Sequence, residues 1–419
     1  MLHEVKTPIQ KLEKYTTQSS QNLISKKQFE EIKKLAYPLK GLKVNLINST
    51  PKGGGVAEIL KSLVPLMKGL GLNAKWYTIP PNKKFFEVTK QIHNALQGKN
   101  YEFPLTHQKI YLNHIKKTSQ LMKDMKADIW VIHDPQPSGI IKFLPRIHPS
   151  ICRVHIDLTS PNKKVWNFIS NFLKDYDRVI VTSKEFVKPE IERKTVIIPP
   201  AIDPLTVKNI PISIKKARRI LEKYGISSQR PLISQISRFD PWKDPLGVIQ
   251  AYRIAKKKIP NLQLALIGFF IANDDPEAIE VYNNIKKEIK DDPDIFLFSD
   301  LKCLGKLKVQ TFVNAAQVAS TLIIQKSIRE GFALTVTEAM WKEKAIIGKK
   351  VGGIKIQIKN GENGFLVSSP EETAKRIIEI IQNPKLAKRI GKKAKISVRK
   401  NFLMPRLLKD YLKLFKELS

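Results

Sequence analysis

The sequence predicts an α/β protein with two Rossmann-like domains, each a parallel sheet covered by helices on both faces. Apolar runs of strand length alternate with amphipathic helical stretches, which is the pattern of such sheets. A chain of 419 residues with 42% hydrophobic residues is long enough for two cores of ordinary size. Between the halves, residues 198–211 are proline-rich and lack periodicity, so they form the predicted linker.

Six strands are predicted in each half of the chain. Those of the first half cover residues 43–49, 74–79, 128–133, 151–156, 178–182 and 195–199, and those of the second half cover 231–237, 263–268, 294–299, 318–325, 345–348 and 364–367. Placing the boundary near residues 204–211 gives a first domain over residues 1–205 and a second over 206–402.

The last stretch of the chain, residues 403–419, is predicted to form a helix that packs back on the first domain. Its apolar residues fall largely on one helical side with lysines opposite, and they are Leu407, Leu408, Tyr411, Leu412, Leu414 and Phe415. A helix docked on the protein body is favoured over a helix lying on a membrane surface.

Composition excludes several classes of protein. No run of about 18 apolar residues is present and the amino end lacks the apolar core of a secretory signal, so a cytoplasmic protein without membrane spans is expected. The cysteines are Cys152 and Cys303, without a metal-ligating spacing. We therefore expect two separate buried thiols, with neither a disulfide nor a zinc site.

The formal net charge is +36, from 74 lysines and arginines against 38 acidic residues. Such a charge suits either a solvated lysine-rich surface or a surface that binds nucleic acid. The cations are spread over nearly every predicted helix, and no arginine-rich tract or RNA-binding signature is present. This distribution favours the solvated surface.

A glycine triplet, Gly53-Gly54-Gly55, lies between the first long strand and the following helix. Glycines let backbone amides approach a ligand, and a helix amino end attracts anions. The triplet does not match the G-x-G-x-x-G fingerprint of nicotinamide cofactors. A ligand loop and a simple tight turn are both compatible with it.

Two cations, Arg238 and Lys243, follow a predicted strand that ends near Ser237. Ligands of open α/β sheets bind at the carboxyl edge of the strands, and this pair suits a diphosphate. The alternative is two ordinary surface cations.

Two glutamates, Glu330 and Glu338, are spaced eight residues apart across a predicted loop-to-helix transition. Thr335 and Glu338 have the spacing of a capping box, which would explain Glu338 without any ligand. Glu330 has no such local role, so it is the better candidate for chemistry. The helix start leaves amides around Phe332 to Thr335 available to an anion.

These motifs together resemble a known family. EGFALTVTEA is similar to the E-x7-E motif of retaining GT-B glycosyltransferases, and SRFDPWKDP is similar to their Arg/Lys diphosphate clamp. More narrowly, the chain resembles nucleotide-sugar-dependent trehalose synthases, which are related to retaining trehalose phosphorylases. The segments that carry this resemblance are GGGVAEILKSLVPL, FFEVTKQIHNALQG, HDPQP, HIDLTSPN, PPAIDPL, SRFDPWK, NDDPE and IREGFALTVTEAMWK, within residues 45–402.

The resemblance implies a GT-B architecture in which an acceptor domain and a donor domain face each other across a cleft. The implied reaction forms α,α-trehalose reversibly from a nucleoside-diphosphate glucose and glucose. No cofactor or bound metal is required, the partners are these small molecules, and a homodimer is compatible with the family. Alternatives are a retaining trehalose phosphorylase and a basic nucleic-acid-binding protein on a transferase-like fold.

The resemblance also assigns site residues. The catalytic residues are Glu330, Arg238 and Lys243. Donor-binding residues are Gly54, Gly55, Arg238, Lys243, Glu330, Phe332, Ala333, Leu334 and Glu338. Acceptor-binding residues are Asn48, His133, Asp134, Gln136, His155 and Asp157.

Within this set, Arg238 and Lys243 are implied to hold the diphosphate. Glu330 would bind the transferred glucose and Glu338 the ribose, whereas the glycine turn would approach either the donor phosphates or the acceptor. Ala333 departs from the family, which usually has glycine there, so the loop is expected to be displaced or restricted in its backbone angles.

Overall fold

The computed structural model of the chain describes residues 1–17, 23–269 and 277–419. It divides into two compact units. The described residues of Met1–Ala201 together with Met404–Ser419 form the first unit, and the described residues from Ile202 to Leu403 form the second. Asp274 and Asp275 of the NDDPE motif lie outside the described residues.

The first unit is built on a seven-stranded sheet. Its strands are β1 (His3–Glu4), β2 (Lys43–Asn48), β3 (Asn73–Thr78), β4 (Ile129–His133), β5 (Ser150–Arg153), β6 (Arg178–Val181) and β7 (Thr195–Ile197). Its helices before the linker are α1 (Lys26–Ala36), α2 (Gly55–Gly69), α3 (Lys83–Leu96), α4 (Leu105–Leu121), α5 (Pro135–Ser138), α6 (Ile140–Phe143) and α7 (Lys163–Leu173). The strand order is β1-β3-β2-β4-β5-β6-β7, and β1 alone is antiparallel to its neighbour.

The second unit is built on a six-stranded parallel sheet. Its strands are β8 (Leu232–Ile236), β9 (Gln263–Ile267), β10 (Ile295–Phe298), β11 (Leu322–Gln325), β12 (Ala345–Lys349) and β13 (Phe365–Val367). Its helices are α8 (Ile214–Glu222), α9 (Pro245–Lys256), α10 (Ala278–Ile289), α11 (Val309–Ala319), α12 (Leu334–Trp341), α13 (Pro370–Gln382) and α14 (Pro384–Asn401). The strand order is β10-β9-β8-β11-β12-β13.

Every one of the twelve predicted strands is found, with ends that differ by a few residues. The largest difference concerns β11, which begins at Leu322 because Val318 still belongs to α11. The apolar run there is continuous, so hydrophobicity alone does not mark where the helix gives way to the strand. The two-residue strand β1 was not predicted; it pairs with β3 at the sheet edge.

The order of strands creates a switch point in each sheet. In the first unit, β2 lies between β3 and β4, and in the second, β8 lies between β9 and β11. Chain crossovers leave on opposite sides of such a central strand, which opens a crevice at the carboxyl ends of the strands. The segments after β2 and β4, and after β8 and β11, are therefore positioned for ligand binding.

The final helix, α15 (Met404–Leu418), belongs to the first unit. All six predicted apolar residues of this helix are buried. Polar contacts add to this packing: Arg406 donates to the carbonyl oxygens of Pro199 and Pro200 at 2.8 Å each. The buried Arg153 donates to the Tyr411 hydroxyl at 2.9 Å.

The expectation of two buried thiols is half wrong. Cys152 in β5 is buried, whereas Cys303 is exposed because it lies in a short surface turn between β10 and α11. In the part of the chain that the structure describes, no helix has the length and apolar character needed to cross a membrane.

Candidate active site

A short turn after β8 carries the two predicted cations. The Asp240 carboxylate organises this turn, accepting the Trp242 amide at 3.0 Å and lying 3.5 Å from the Arg238 guanidinium. The Lys243 amide in turn donates to the Asp240 carbonyl at 2.9 Å. Lys243 is further fixed by Gln235 of β8, whose side-chain amide donates to the Lys243 carbonyl at 2.7 Å. Arg238 and Lys243 therefore belong to one rigid turn at the carboxyl edge of the sheet.

An ion pair joins this turn to the segment that follows β11. The Lys243 ammonium lies 2.6 Å from Oε2 of Glu330, and the side chains are 19% and 9% exposed. Partly buried charges interact more strongly than solvated ones because water screens them less. The structure thus brings together two residues that are separated in sequence and both assigned to catalysis by the resemblance.

Residues that the sequence analysis missed hold Glu330 in place. The Ser327 hydroxyl donates to Glu330 Oε2 at 2.9 Å, and the Gln325 side-chain amide donates to the Ser327 hydroxyl at 2.8 Å. The Thr335 hydroxyl donates to Gln325 Oε1 at 3.2 Å. A signal was available, because Gln325 is a polar residue at the end of an apolar strand and such positions line sites.

The start of α12 differs from the prediction. The helix begins at Leu334 with Ala333 as its N-cap and without a side-chain cap, so the predicted capping box of Thr335 and Glu338 is wrong. Thr335 already lies inside the helix and its hydroxyl bonds Gln325 instead. Ala333 has a φ of 69°, in the left-handed region that suits glycine.

The segment after β12 contacts the loop before α12 and holds it in place. The Gly353 amide donates to the Glu330 carbonyl at 2.9 Å, and a Cβ at Gly353 would lie 2.3 Å from the Gly331 carbonyl oxygen. Gln357 donates to the carbonyl oxygens of Phe332 and Gly353. These contacts fix the loop, so Ala333 keeps its left-handed conformation and the first amides of α12 are directed outward from the helix start.

A second ion pair supports the turn that carries Lys243. Lys326, directly after β11, is 5% exposed at its side chain and pairs with the Asp244 carboxylate. The same carboxylate caps α9 by accepting the Gly247 amide at 3.1 Å. Lys326 is therefore a structural cation of the site that sequence analysis did not single out.

Glu338 lies in a separate polar cluster on the buried side of α12. It is 1% exposed, and its Oε1 is 2.6 Å from the Lys208 ammonium. Its Oε2 accepts the Gln317 side-chain amide at 3.2 Å. Nearby, burial lowers the pKa of Lys342 to about 7, with the Glu338 charge opposing the shift.

In the first unit, Asn48 is the last residue of β2 and the glycine turn follows it. Gly54 is the N-cap of α2, and both Gly54 and Gly55 are exposed. Asn48 is buried; its Oδ1 accepts the Trp76 indole N–H at 2.7 Å and its amide donates to the Thr50 carbonyl at 2.7 Å. These bonds give Asn48 a structural role in shaping the turn.

Two predicted histidines meet at the ends of β4 and β5. His133 Nδ1 and His155 Nε2 are 3.0 Å apart, so one nitrogen donates to the other. Burial, together with the charge of Arg153, lowers the pKa of His133 to about 3 and that of His155 well below its usual value. Both rings are therefore neutral at physiological pH.

Two side-chain polar atoms at and just after the end of β4 are unsatisfied. His133 Nε2 and Gln136 Oε1 are buried without a hydrogen-bond partner among the described residues. Such atoms are rare in folded proteins because leaving them unpaired is costly, and they mark places where a polar ligand can bind.

Asp134 has a φ of 71° and links the two strand ends. Its Oδ1 accepts the His155 amide at 2.7 Å, and its own amide donates to the Arg153 carbonyl at 2.8 Å. Burial raises the pKa of Asp134 to about 7, against the opposing effects of the His155 amide and the Arg153 charge. Asp157 instead accepts the amide and hydroxyl of Thr159, at 2.8 and 2.5 Å, which stabilises its own turn.

The two units therefore offer different chemistry. The second presents cations and helix-start amides, which suit an anionic ligand. The first presents neutral nitrogens and amide oxygens, which suit a ligand rich in hydroxyl groups. Within the described ranges, no group of three or more histidine, cysteine, aspartate or glutamate residues could hold a metal ion.

Comparison with protein families gives two matches. Residues 46–188 match the family described as trehalose synthase, N-terminal domain, and residues 216–397 match glycosyl transferases group 1. A trehalose synthase from Pyrococcus horikoshii is 43% identical over 425 residues, covering 100% of both chains. One from Rubrobacter xylanophilus is 41% identical and covers 95% of both. A trehalose phosphorylase from Pleurotus pulmonarius is 26% identical over 80% of this chain and 51% of its own.

Comparison with solved structures shows the fold. A sucrose-phosphate synthase from Thermosynechococcus elongatus matches with a TM-score of 0.70 at 15% identity, covering 90% of this chain and 99% of that one. An α,α-trehalose 6-phosphate synthase from Burkholderia multivorans matches with a TM-score of 0.67 at 13% identity, with the same coverage. The two α/β units have the GT-B fold, as predicted.

Replacing Ala333 with glycine should stabilise the second unit. Glycine removes the cost of the left-handed backbone, roughly 1 kcal/mol, although a more flexible unfolded chain offsets part of this gain. Thermal unfolding should show a midpoint higher by about 1–2 °C. As a control, Ala387→Gly within α14 should lower the midpoint, because glycine has a lower helix propensity than alanine. A lower midpoint for Ala333→Gly would contradict this account of the loop.

Replacing Asp134 with asparagine should change how stability depends on pH. Burial raises the folded-state pKa of Asp134 to about 7. The contribution of this carboxyl group to the free energy of unfolding is therefore fully present below about pH 4 and is lost as the pH rises through 7. Asparagine is neutral throughout and tolerates positive φ. In urea unfolding, the free energy of unfolding of the variant relative to that of the wild type should rise by on the order of 2 kcal/mol between pH 5 and pH 8. A pH-independent difference would rule out the raised pKa.

Proposed function

We propose that this chain, which belongs to the trehalose synthase family, transfers glucose from a nucleoside-diphosphate glucose to free glucose with retention of configuration. The product is α,α-trehalose and the by-product is the nucleoside diphosphate. The observation that carries this proposal is the Lys243–Glu330 ion pair at the switch point of the second sheet, within a chain that matches trehalose synthases over its full length.

The donor is assigned to the second unit. Lys243 uses one of its three N–H donors on Glu330, which leaves two for the diphosphate. Arg238 adds a planar guanidinium that can bind phosphate oxygens in a bidentate manner. The first amides of α12 supply further donors, with the helix dipole favouring the negative charge. Glu330, fixed by Ser327, is then placed to accept hydroxyl groups of the transferred glucose.

The acceptor is assigned to the first unit. A sugar is uncharged and presents hydroxyl groups, each of which can donate and accept. The unpartnered His133 Nε2 and Gln136 Oε1 would gain hydrogen bonds from such groups. Because both histidines are neutral, they bind a neutral sugar without the cost of burying another charge.

The chemical step requires no carboxylate nucleophile. The bond from the anomeric carbon to the phosphate oxygen breaks as the anomeric hydroxyl of the acceptor forms a new bond on the same face. The proton of that hydroxyl passes to the departing phosphate oxygen. The protein's contribution is to position both sugars and to stabilise charge on the leaving group through Lys243, Arg238 and the α12 amides.

A direct assay tests the reaction. Purified protein is incubated with glucose and, in separate reactions, ADP-, UDP- or GDP-glucose, and the product is examined for a non-reducing disaccharide. We expect trehalose with at least one donor and undiminished activity in EDTA, because the proposed mechanism stabilises the leaving group with protein groups. Loss in EDTA that magnesium restores would contradict the metal-independent mechanism.

A parallel reaction contains trehalose and inorganic phosphate without a nucleotide. Release of glucose 1-phosphate there, combined with no transfer from any nucleotide donor, would overturn the proposal in favour of a phosphorylase.

Alanine at Lys243 or Glu330 should abolish most turnover in a folded protein. Each side chain acts on the reacting sugar or its leaving group, and loss of one such group typically costs ~3 kcal/mol of transition-state stabilisation, or roughly a hundredfold in rate. The double variant should lose less than the sum of the two, because the residues share one ion pair. Lys392→Ala, on the exposed side of α14, is the matched control. Near-normal rates in both single variants would refute the assigned roles.

A further inference from the structure

The buried cluster around Glu338 includes a lysine from the segment that enters the second unit. The Lys208 ammonium lies 2.6 Å from Glu338 Oε1, and the two side chains are 15% and 1% exposed. A carboxylate removed from water to this extent is stable only when it is paired and hydrogen-bonded. Lys208 supplies that charge from outside α12.

The segment on either side of Lys208 is anchored, so the lysine is not a mobile surface residue. The Asn314 side-chain amide donates to the carbonyl oxygens of Val207 and Ile210, at 2.9 and 3.0 Å. On the other side, the Lys342 ammonium donates to Asn209 Oδ1 at 3.0 Å. Because the backbone is held, pairing with Glu338 orders only the side chain of Lys208 and no additional backbone.

Lys342 is a weaker source of positive charge than its position suggests. Burial lowers the pKa of Lys342 to about 7, so a sizeable fraction of this lysine is neutral near physiological pH. Its ammonium also contacts the backbone carbonyl of Glu338, at 3.4 Å. The charge that balances the Glu338 carboxylate therefore comes chiefly from Lys208.

The cluster retains capacity for a ligand. Each carboxylate oxygen can accept more than one hydrogen bond, and Lys208 and Gln317 use one on each oxygen of Glu338. In addition, Gln317 is fully buried, yet its Oε1 has no partner among the described residues. These oxygens can accept hydrogen bonds from the hydroxyl groups of a ligand.

We propose that Lys208 is a positioning residue for the nucleotide: it orients the Glu338 carboxylate so that this group accepts the ribose hydroxyls of the donor. The proposal rests on the proposed function, since it requires a nucleotide donor. It makes the segment between the two sheets part of the donor site, although Lys208 itself need not touch the nucleotide.

The test compares Lys208→Met and Lys208→Arg with wild type, and Lys215→Met serves as the matched control because Lys215 is exposed on α8. Calorimetry measures the Kd of ADP, UDP and GDP, and of the 2′,3′-dideoxy form of whichever binds wild type. We expect Lys208→Met to weaken nucleotide binding at least tenfold and to raise the KM of the donor, with kcat and the KM of glucose changed less than threefold. Arginine should restore most of the affinity, and Lys215→Met should match wild type.

The dideoxy nucleotide separates positioning from general structural support. Wild type and Lys208→Met should bind the dideoxy nucleotide, which lacks the ribose hydroxyls, with Kd values within twofold of each other. General damage would instead weaken the binding of both nucleotides alike, and that result would overturn the proposal. Unchanged Kd in Lys208→Met overturns it while leaving the proposed function intact. Wild-type protein that neither binds a nucleotide nor transfers glucose overturns both. If Lys208→Met unfolds at assay temperature, Lys208→Gln takes its place under the same criteria.

Discussion

The pairing of Lys243 with Glu330 is the interaction on which the candidate site depends. It joins the turn after β8 to the segment after β11, at the point where the chain reverses its direction across the sheet. A carboxylate as buried as Glu330 needs a cation and a hydrogen-bond donor, and Lys243 and Ser327 supply them. With both ends held, the loop that starts α12 keeps Ala333 at a backbone angle that alanine disfavours.

The two units share a sheet plan but differ in electrostatics. The second unit contains partly buried cations, and the ion pair of Lys326 with Asp244 stabilises the turn that carries Lys243. The first unit gathers neutral groups, because burial and the charge of Arg153 prevent the histidine pair from becoming protonated. Arg153 also contacts Tyr411 of α15, so the same cation that tunes the histidines holds the final helix. This division suits the charged donor and the uncharged acceptor of the proposed reaction.

Much of this arrangement could be anticipated from sequence, but the hydrogen-bond network could not. Periodicity located all twelve predicted strands, and the strand ends and the segments after them contained Arg238, Lys243, Glu330 and the histidines. By contrast, Lys208 acts through a contact with Glu338, which is distant in sequence, and no local pattern reports such a contact. Gln325 and Ser327 are near Glu330 in sequence, but only the folded segment after β11 shows that their side chains bond one another and Glu330. The capping-box error has the same origin: spacing suggested a local role for Glu338, whereas its carboxylate bonds Lys208 and Gln317.

The sequence by itself determined the fold class and the family, because strand and helix periodicity are local properties and the distinctive motifs are contiguous. It also placed the candidate site residues at or just after strand ends, since the interior of a buried strand is largely apolar. Which of those residues meet was decided by the tertiary structure alone. Strand order brought Lys243 to Glu330, and chain packing brought Lys208 to Glu338. Buried charges require partners within a few ångströms, and only the folded chain establishes those distances.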